Sequence, residues 1–257
     1  RSLDRPTVQA YVEYMLHERG LRATSANQAL AAIKKMVTEA MNANLIAHAI
    51  AAPILVLPGA PVSGARAGNW LSRAQAQDLL LKPDISTPMG KRDQAALALL
   101  IGAALRRSEV CGLQIEQLEQ RRGRWVISNM LRKGGRLQTL PIPSWTYDSV
   151  ARWMEAAGLT SGPLIRGFAP DGVSLQPGAL TAKQLYMIVR RYGAETGSKL
   201  APHDLRRTAA DLMWESEASM REIQTALGHK SVTTTEIYMQ PITDMKAPAC
   251  DRVKFEV

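Results

Sequence analysis

The stretch Pro202–Tyr238, PHDLRRTAADLMWESEASMREIQTALGHKSVTTTEIY, constrains this chain more than any other. Pro202 suits the first turn of a helix, because its missing N–H would have lacked a partner there and its φ is already helical. From that start His203 and Arg206, three residues apart, share a face, while Leu205, Ala209, Leu212 and Met213 turn to a core. A second short helix ends at Gly228, suited to a left-handed cap, with His229 immediately beyond. Ser231 or Thr233 then caps a last helix, Thr233 with Glu236 three residues on as a capping box. Tyr238 rides on that helix and Pro241 ends it. Two histidines, an arginine and a tyrosine hydroxyl so spaced make a cationic pocket around an oxygen nucleophile. The chemistry suits a phosphodiester.

Upstream, the periodicity is mostly helical. Pro6 to Arg19 carries Val8, Tyr11, Val12, Met15 and Leu16 at helical spacing, closed by Gly20, and Ser25 to Ala47 repeats the pattern through Leu30, Ile33, Val37 and Met41. Pro53 to Gly68 is rich in proline and glycine and reads as an extended linker. The expected organisation is a helical unit over 1–58, a linker over 59–69 and a larger domain over 70–257. Ser72 with Gln75 predicts a capped helix to about Leu81, and Ala95 to Ile101 predicts a helix buried on most sides. The period changes at Arg124. Trp125–Ile127 and Leu137–Ile142 read as strands about a Gly134–Gly135 turn, a hairpin with Lys133 on its lip. Helical patterns resume at Tyr147 to Ala157 and Ala182 to Tyr192, separated by a Gly/Pro-rich loop over 158–178. The fold class is mainly α with a small β-hairpin or sheet.

Charge bears on the partner. The 257 residues carry 32 Lys and Arg against 23 Asp and Glu, a formal +9 that favours a polyanion. Arg1 to Ala65 holds six basic and four acidic residues, so +7 of the excess lies downstream. Cys111 and Cys250 are too few for a disulfide framework or zinc cluster and fit a reducing cytoplasm. The longest apolar run, Ala95 to Leu105, is shorter than the roughly 18 to 20 residues that span a bilayer, so no membrane partner is expected. Walker A, H-E-x-x-H and G-x-S-x-G motifs are absent from the text, which leaves nucleotide hydrolysis, zinc proteolysis and serine hydrolysis without support. The chain opens on Arg1 rather than Met, which predicts residues before it.

Several boxes together carry a resemblance. His203-Asp204-Leu205-Arg206-Arg207-Thr208 resembles the H-x-L-R-(H/R)-T box of the tyrosine recombinases, the integrases of phages and mobile elements. Leu227-Gly228-His229 with Thr234, Thr235 and Tyr238 resembles the family's L-G-H…T-T-x-x-Y box. Gly102 to Leu113 (GAALRRSEVCGL) resembles T-G-L-R-x-S-E-(L/I)-x-x-L, with Ala104 in place of the usual glycine. Lys133 to Pro141 resembles the K-G-x-(K/R)…P hairpin. Singly, each match is ordinary: a solvated basic helix start, a turn histidine, a packing tyrosine, a lysine beside a Gly-Gly turn. Their conjunction, in order, is not.

The resemblance implies a core-binding domain that clamps DNA, abbreviated here to the N-terminal unit, followed by a catalytic domain. It makes Arg106, Lys133, His203, Arg206, His229 and the nucleophile Tyr238 catalytic, with Glu109 orienting Arg106 from one turn away. A free tyrosine is only about a thousandth ionised at pH 7, a deficit of roughly 4 kcal/mol, so the surroundings must supply the rest. By the resemblance, Arg106 and Arg206 stabilise the pentavalent phosphorus, His203 takes the tyrosyl proton or bonds the phosphate, His229 donates to it, and Lys133 protonates the departing 5′ oxygen. A 3′-phosphotyrosyl link results, without metal or cofactor. The implied partners are double-stranded recombination sites, bound by a homotetramer whose tails, Met239 to Val257, dock on neighbours. Two rivals use the same text: a type IB topoisomerase-like nicking and resealing enzyme, and a DNA-binding accessory protein without catalysis.

Overall fold

The computed structural model describes residues 3–61, 69–132, 135–229 and 235. Lys133, Gly134, Thr234, Tyr238, the last helix and the 239–257 tail of the sequence reading lie outside the described residues. The chain divides into two compact units, Arg1–Arg66 and Ala67–Val257.

In the first unit, Asp4 caps α1 (Arg5–His17) by accepting the Thr7 N–H at 2.9 Å, and Pro6 fills an early helical position whose donor is not needed. Gly20 takes the left-handed conformation after α1, with φ +58. Helix α2 (Ala23–Asn42) then packs Leu30 and Val37 against Val8, Ala51, Ile54 and Leu57. The linker reading began too early: α3 spans His48–Leu55 and holds Pro53 inside it. That proline removes a single ladder donor from a short helix. Burial of Ala51 and Ile54 outweighs the loss. Beyond α3, Asn27 holds Ala60 by both backbone groups, Nδ2 to its carbonyl at 2.9 Å and Oδ1 from its N–H at 2.6 Å.

The second unit is built around α5 (Pro88–Gly102), whose residues 95–101 are buried without interruption. Around it lie α4 (Arg73–Leu81), α6 (Arg107–Gly112), α7 (Ser144–Ala156), α8 (Ala182–Glu195), α9 (Pro202–Glu215) and α10 (Met220–Leu227). Ser72 and Gln75 cap α4 reciprocally, as the sequence requires. The sheet has three antiparallel strands rather than two, in the order β1 (Leu118–Arg121), β2 (Arg124–Arg132), β3 (Arg136–Pro141). Strand β1, LEQR, has no apolar alternation, so only its pairing with β2 defines it. A second small pair, β4 (Arg166–Phe168) with β5 (Leu175–Ala179), occupies the expected Gly/Pro-rich loop. No helix among the described residues is long and apolar enough to cross a membrane.

Two features of the contact between α5 and α7 set the angle at which α5 delivers its C-terminal end. Trp153 of α7 is fully buried and donates from its indole to the Leu164 carbonyl at 2.8 Å. Gly102, the last residue of α5, lies where a Cβ would come 2.0 Å from Thr146 Oγ1 and 2.8 Å from the Trp145 ring. Four residues later the chain presents Arg106. Gly102→Ala should therefore force α7 off α5 and destabilise the protein by about 1–3 kcal/mol, measured as a lowered urea midpoint.

Candidate active site

Leaving α5, the chain turns through Ala104 in the left-handed region, with φ +48. An alanine there costs on the order of 1 kcal/mol relative to glycine. It nevertheless keeps the geometry that glycine would give. The Ala104 methyl is buried in a small cluster with Ala209, Ala210, Ile223 and Leu227, and its carbonyl accepts from Arg206 Nη1. Arg106 follows as the N-cap of α6 and points back to its own helix.

Glu109 gathers the site. Its Oε2 accepts the Arg106 N–H at 2.7 Å and its Oε1 accepts Arg106 Nη1 at 2.7 Å. The same Oε2 accepts Arg132 Nη1 at 2.8 Å and lies 3.9 Å from Arg206 Nη1. One carboxylate thus serves three guanidinium groups, and the cluster keeps an excess of positive charge. Burial works to raise the Glu109 carboxyl; the Arg106 backbone N–H, the charge of Arg132 and the Arg106 side chain outweigh it and hold the group below the usual carboxylate range.

These arginines are not equivalent. The Arg106 side chain is 29% exposed, whereas those of Arg132 and Arg206 are 2% exposed. Arg206 donates Nη1 to the Ala104 carbonyl and Nη2 to the Leu227 carbonyl, which locks its plane and leaves other N–H groups of the five. Helix α9 starts as the sequence requires, with Pro202 in the first turn and Asp204 Oδ2 accepting the Ala201 N–H at 2.9 Å. Thr208, the last residue of that box, receives the Leu71 N–H at 2.9 Å and so ties the start of the unit to α9.

Arg106, Arg107, His203, Arg206, His229 and Tyr186 line one open cavity of about 660 Å³. His203 is accessible at its wall; loss of hydration, then the charges of Arg207 and Arg206, push its imidazole below the ordinary value. His229 is pushed down to about 4, by burial first and then by Arg206, Arg106, His203 and Arg132. At neutral pH its ring is uncharged. Its Nδ1 lies 3.0 Å from the hydroxyl of the buried Thr235, so when that hydroxyl donates, the ring proton sits on Nε2.

The structure therefore brings Arg106, Glu109, His203, Arg206 and His229 together; Lys133 and Tyr238 lie outside the described residues. Sequence reasoning passed over Arg132, Gln138, Tyr186 and the contact of Thr235. Arg132 left a signal. After the bulge between Ile127 and Met130, β2 alternates buried Met130, exposed Leu131 and buried Arg132, and an arginine on the inward face of a strand requires partners. Outside the cavity, the half-exposed Arg191 bonds the buried Asp93 at 2.6 Å.

Comparison with known proteins bears on the family and the fold. The sequence signature described as the phage integrase family covers residues 69–244. Tyrosine recombinase XerC of Xylella fastidiosa is 31% identical over 241 residues, spanning 92% of this chain and 76% of that protein. Tyrosine recombinase XerA of Thermococcus kodakarensis is 28% identical over 256 residues, spanning 95% and 86%. Among solved structures, the XerH site-specific recombinase in its post-cleavage complex with a palindromic difH substrate superposes with a TM-score of 0.69 at 18% identity, over 95% of this chain and 71% of that one. A lambda integrase dimer bound to a COC′ core site superposes with a TM-score of 0.67 at 17% identity, over 99% and 68%. At such identities the superpositions establish the fold.

The depressed histidine gives a signed pH dependence. The unfolded chain takes up the His229 proton near the ordinary 6.5 and the folded protein only near 4, so stability is intact above about 6.5 and falls as pH drops through that window. Glu109, lowered from 4.5, adds loss in the same direction at still lower pH. Urea midpoints should therefore fall between pH 7 and pH 5, and fall less in His229→Gln.

Proposed function

The chain belongs to the phage integrase family of tyrosine recombinases, and from that premise we propose that it cleaves and rejoins DNA strands site-specifically through a tyrosyl phosphodiester. Tyr238 is the proposed nucleophile. Its oxygen attacks the phosphorus, the P–O5′ bond breaks, and the strand's 3′ phosphate is left on the tyrosine. Lys133, the residue after the buried Arg132, gives a proton to the departing 5′ oxygen. The tyrosyl proton passes to His203, an accessible imidazole whose lowered basicity favours its unprotonated, proton-accepting form. Rejoining reverses these steps with a 5′-hydroxyl, which needs no ATP because the covalent link retains the bond energy.

The observation that carries this reading is the surplus of cationic donors around one cavity. Glu109 neutralises one of the three guanidiniums it touches, and the two histidines there are held uncharged. An anionic group entering the cavity meets fixed donors at Arg106, Arg206 and the neutral His229. Donors already held in place are what a phosphorane bearing extra negative charge needs, since no reorganisation is required as the charge develops. The second unit is the proposed catalytic domain, and residues 1–58 are the proposed clamp on the opposite side of the duplex. Four protomers acting on two duplexes, in the cytoplasm, complete the proposal.

The test is covalent trapping on a nicked duplex taken from the protein's own flanking DNA. A denaturation-resistant protein–DNA adduct should form and should vanish in Tyr238→Phe, while Arg206→Lys should slow its formation by about a hundred-fold or more. Duplex binding without any adduct would instead favour an accessory protein. Joining of ends from two duplexes separates recombination from nicking and resealing of one.

A further inference from the structure

The end of α10 is held from three sides. Gln224 and Thr225 carbonyls accept the His229 and Gly228 N–H groups at 3.2 and 3.1 Å, the usual closure about a left-handed glycine. Side chains from elsewhere share the Thr225 carbonyl and take those of Ala226 and Leu227. Gln138 Nε2 of β3 donates to the Thr225 carbonyl at 2.9 Å, Arg132 Nη2 of β2 to the Ala226 carbonyl at 3.1 Å, and Arg206 Nη2 of α9 to the Leu227 carbonyl. Arg132 Nε also donates to Gln138 Oε1 at 3.1 Å, so the two collar residues hold each other. Two guanidiniums lie at the negative end of the helix, where cations are favoured.

Gly228 shows how tightly the collar is drawn. Besides its φ of +59, a Cβ there would come 3.0 Å from Arg132 Nε and 3.2 Å from Gln138 Oε1. The next residue is His229. Because Arg132 also bonds Glu109, and Glu109 holds Arg106, a single buried side chain connects the arginine on one wall of the cavity with the histidine on another.

We propose that Arg132 and Gln138 are positioning residues for strand cleavage: they clamp the sheet onto the last carbonyls of α10 and thereby fix where His229 meets the phosphate. This rests on the reading of the cavity as the cleavage site. Neither residue reaches the phosphate in this role. Their effect on rate passes through His229, and for Arg132 also through Glu109 and Arg106.

Two measurements on the full chain test it. The first needs no DNA: the His229 ring resonance, assigned by its loss in His229→Gln, is titrated by NMR. Gln138→Leu removes bonds but no charge, so a loosened turn should raise the His229 midpoint from about 4 toward the ordinary 6.5; an unchanged midpoint overturns the proposal. The second is a double-mutant cycle on the trapping reaction. Arg132→Lys and Gln138→Leu should each slow cleavage by about 10- to 100-fold, as misplaced catalytic groups do, with duplex affinity changed by less than about threefold. In a His229→Gln background the Gln138→Leu loss should shrink to about threefold or less. The full loss persisting in that background would mean a general structural role and would overturn the proposal. Arg132→Met removes one charge partner of the nearly buried Glu109 and risks the fold, which is why the lysine and the neutral Gln138 position are used. If wild type forms no adduct, the cleavage reading fails, and the proposal with it, whereas the titration still tells whether the collar holds the His229 turn.

Discussion

The Glu109 carboxylate is the contact on which the second unit's functional end depends. It is nearly buried, and three guanidiniums from α6, β2 and α9 converge on it. Bringing three like charges into a partly desolvated space would be costly if nothing opposed them. A single acid reduces the repulsion without cancelling the charge. Buried ion pairs are weak evidence for stability as such, and their better-attested use is to fix geometry. Here the geometry is that of a cavity lined by cations, with Arg106 left partly accessible and Arg206 locked by two carbonyls.

Backbone conformation cooperates with that carboxylate. Ala104 and Gly228 are both left-handed, and each lies beside a carbonyl that Arg206 uses: Ala104's own, and that of Leu227 immediately before the glycine. The same arginine therefore reads the turn after α5 and the turn after α10. If either turn moved, the guanidinium would lose a partner in a place where water cannot replace it. Lowered histidine basicity follows from the same crowding. His203 and His229 are partly desolvated and stand among arginines, so both are pushed below the ordinary imidazole value and add little further positive charge at neutral pH.

Much of this was legible in the text because it is local. Ser72 with Gln75, Pro202 in a first turn, and Gly228 before His229 each announce a helix end within a few residues. The apolar run over 95–101 was read as a buried helix, and α5 buries every one of those residues. Strand β1 was missed, since Leu118–Arg121 lacks alternation and exists through its neighbour, and α3 was missed because Pro53 read as linker while the burial of Ala51 and Ile54 that holds the helix is not visible in the text.

The sequence by itself determined the order of elements, the residue types for phosphoryl chemistry, and the pairing of Arg106 with Glu109, because an i,i+3 contact is fixed by helical pitch. Only the tertiary structure decided that Arg132 shares that carboxylate from 23 positions away, and that Gln138 and Arg206 complete the ring around the end of α10. Such contacts depend on the register of β2 after its bulge and on how α9 and α10 pack. No spacing along the chain encodes which buried acceptor a long side chain will find.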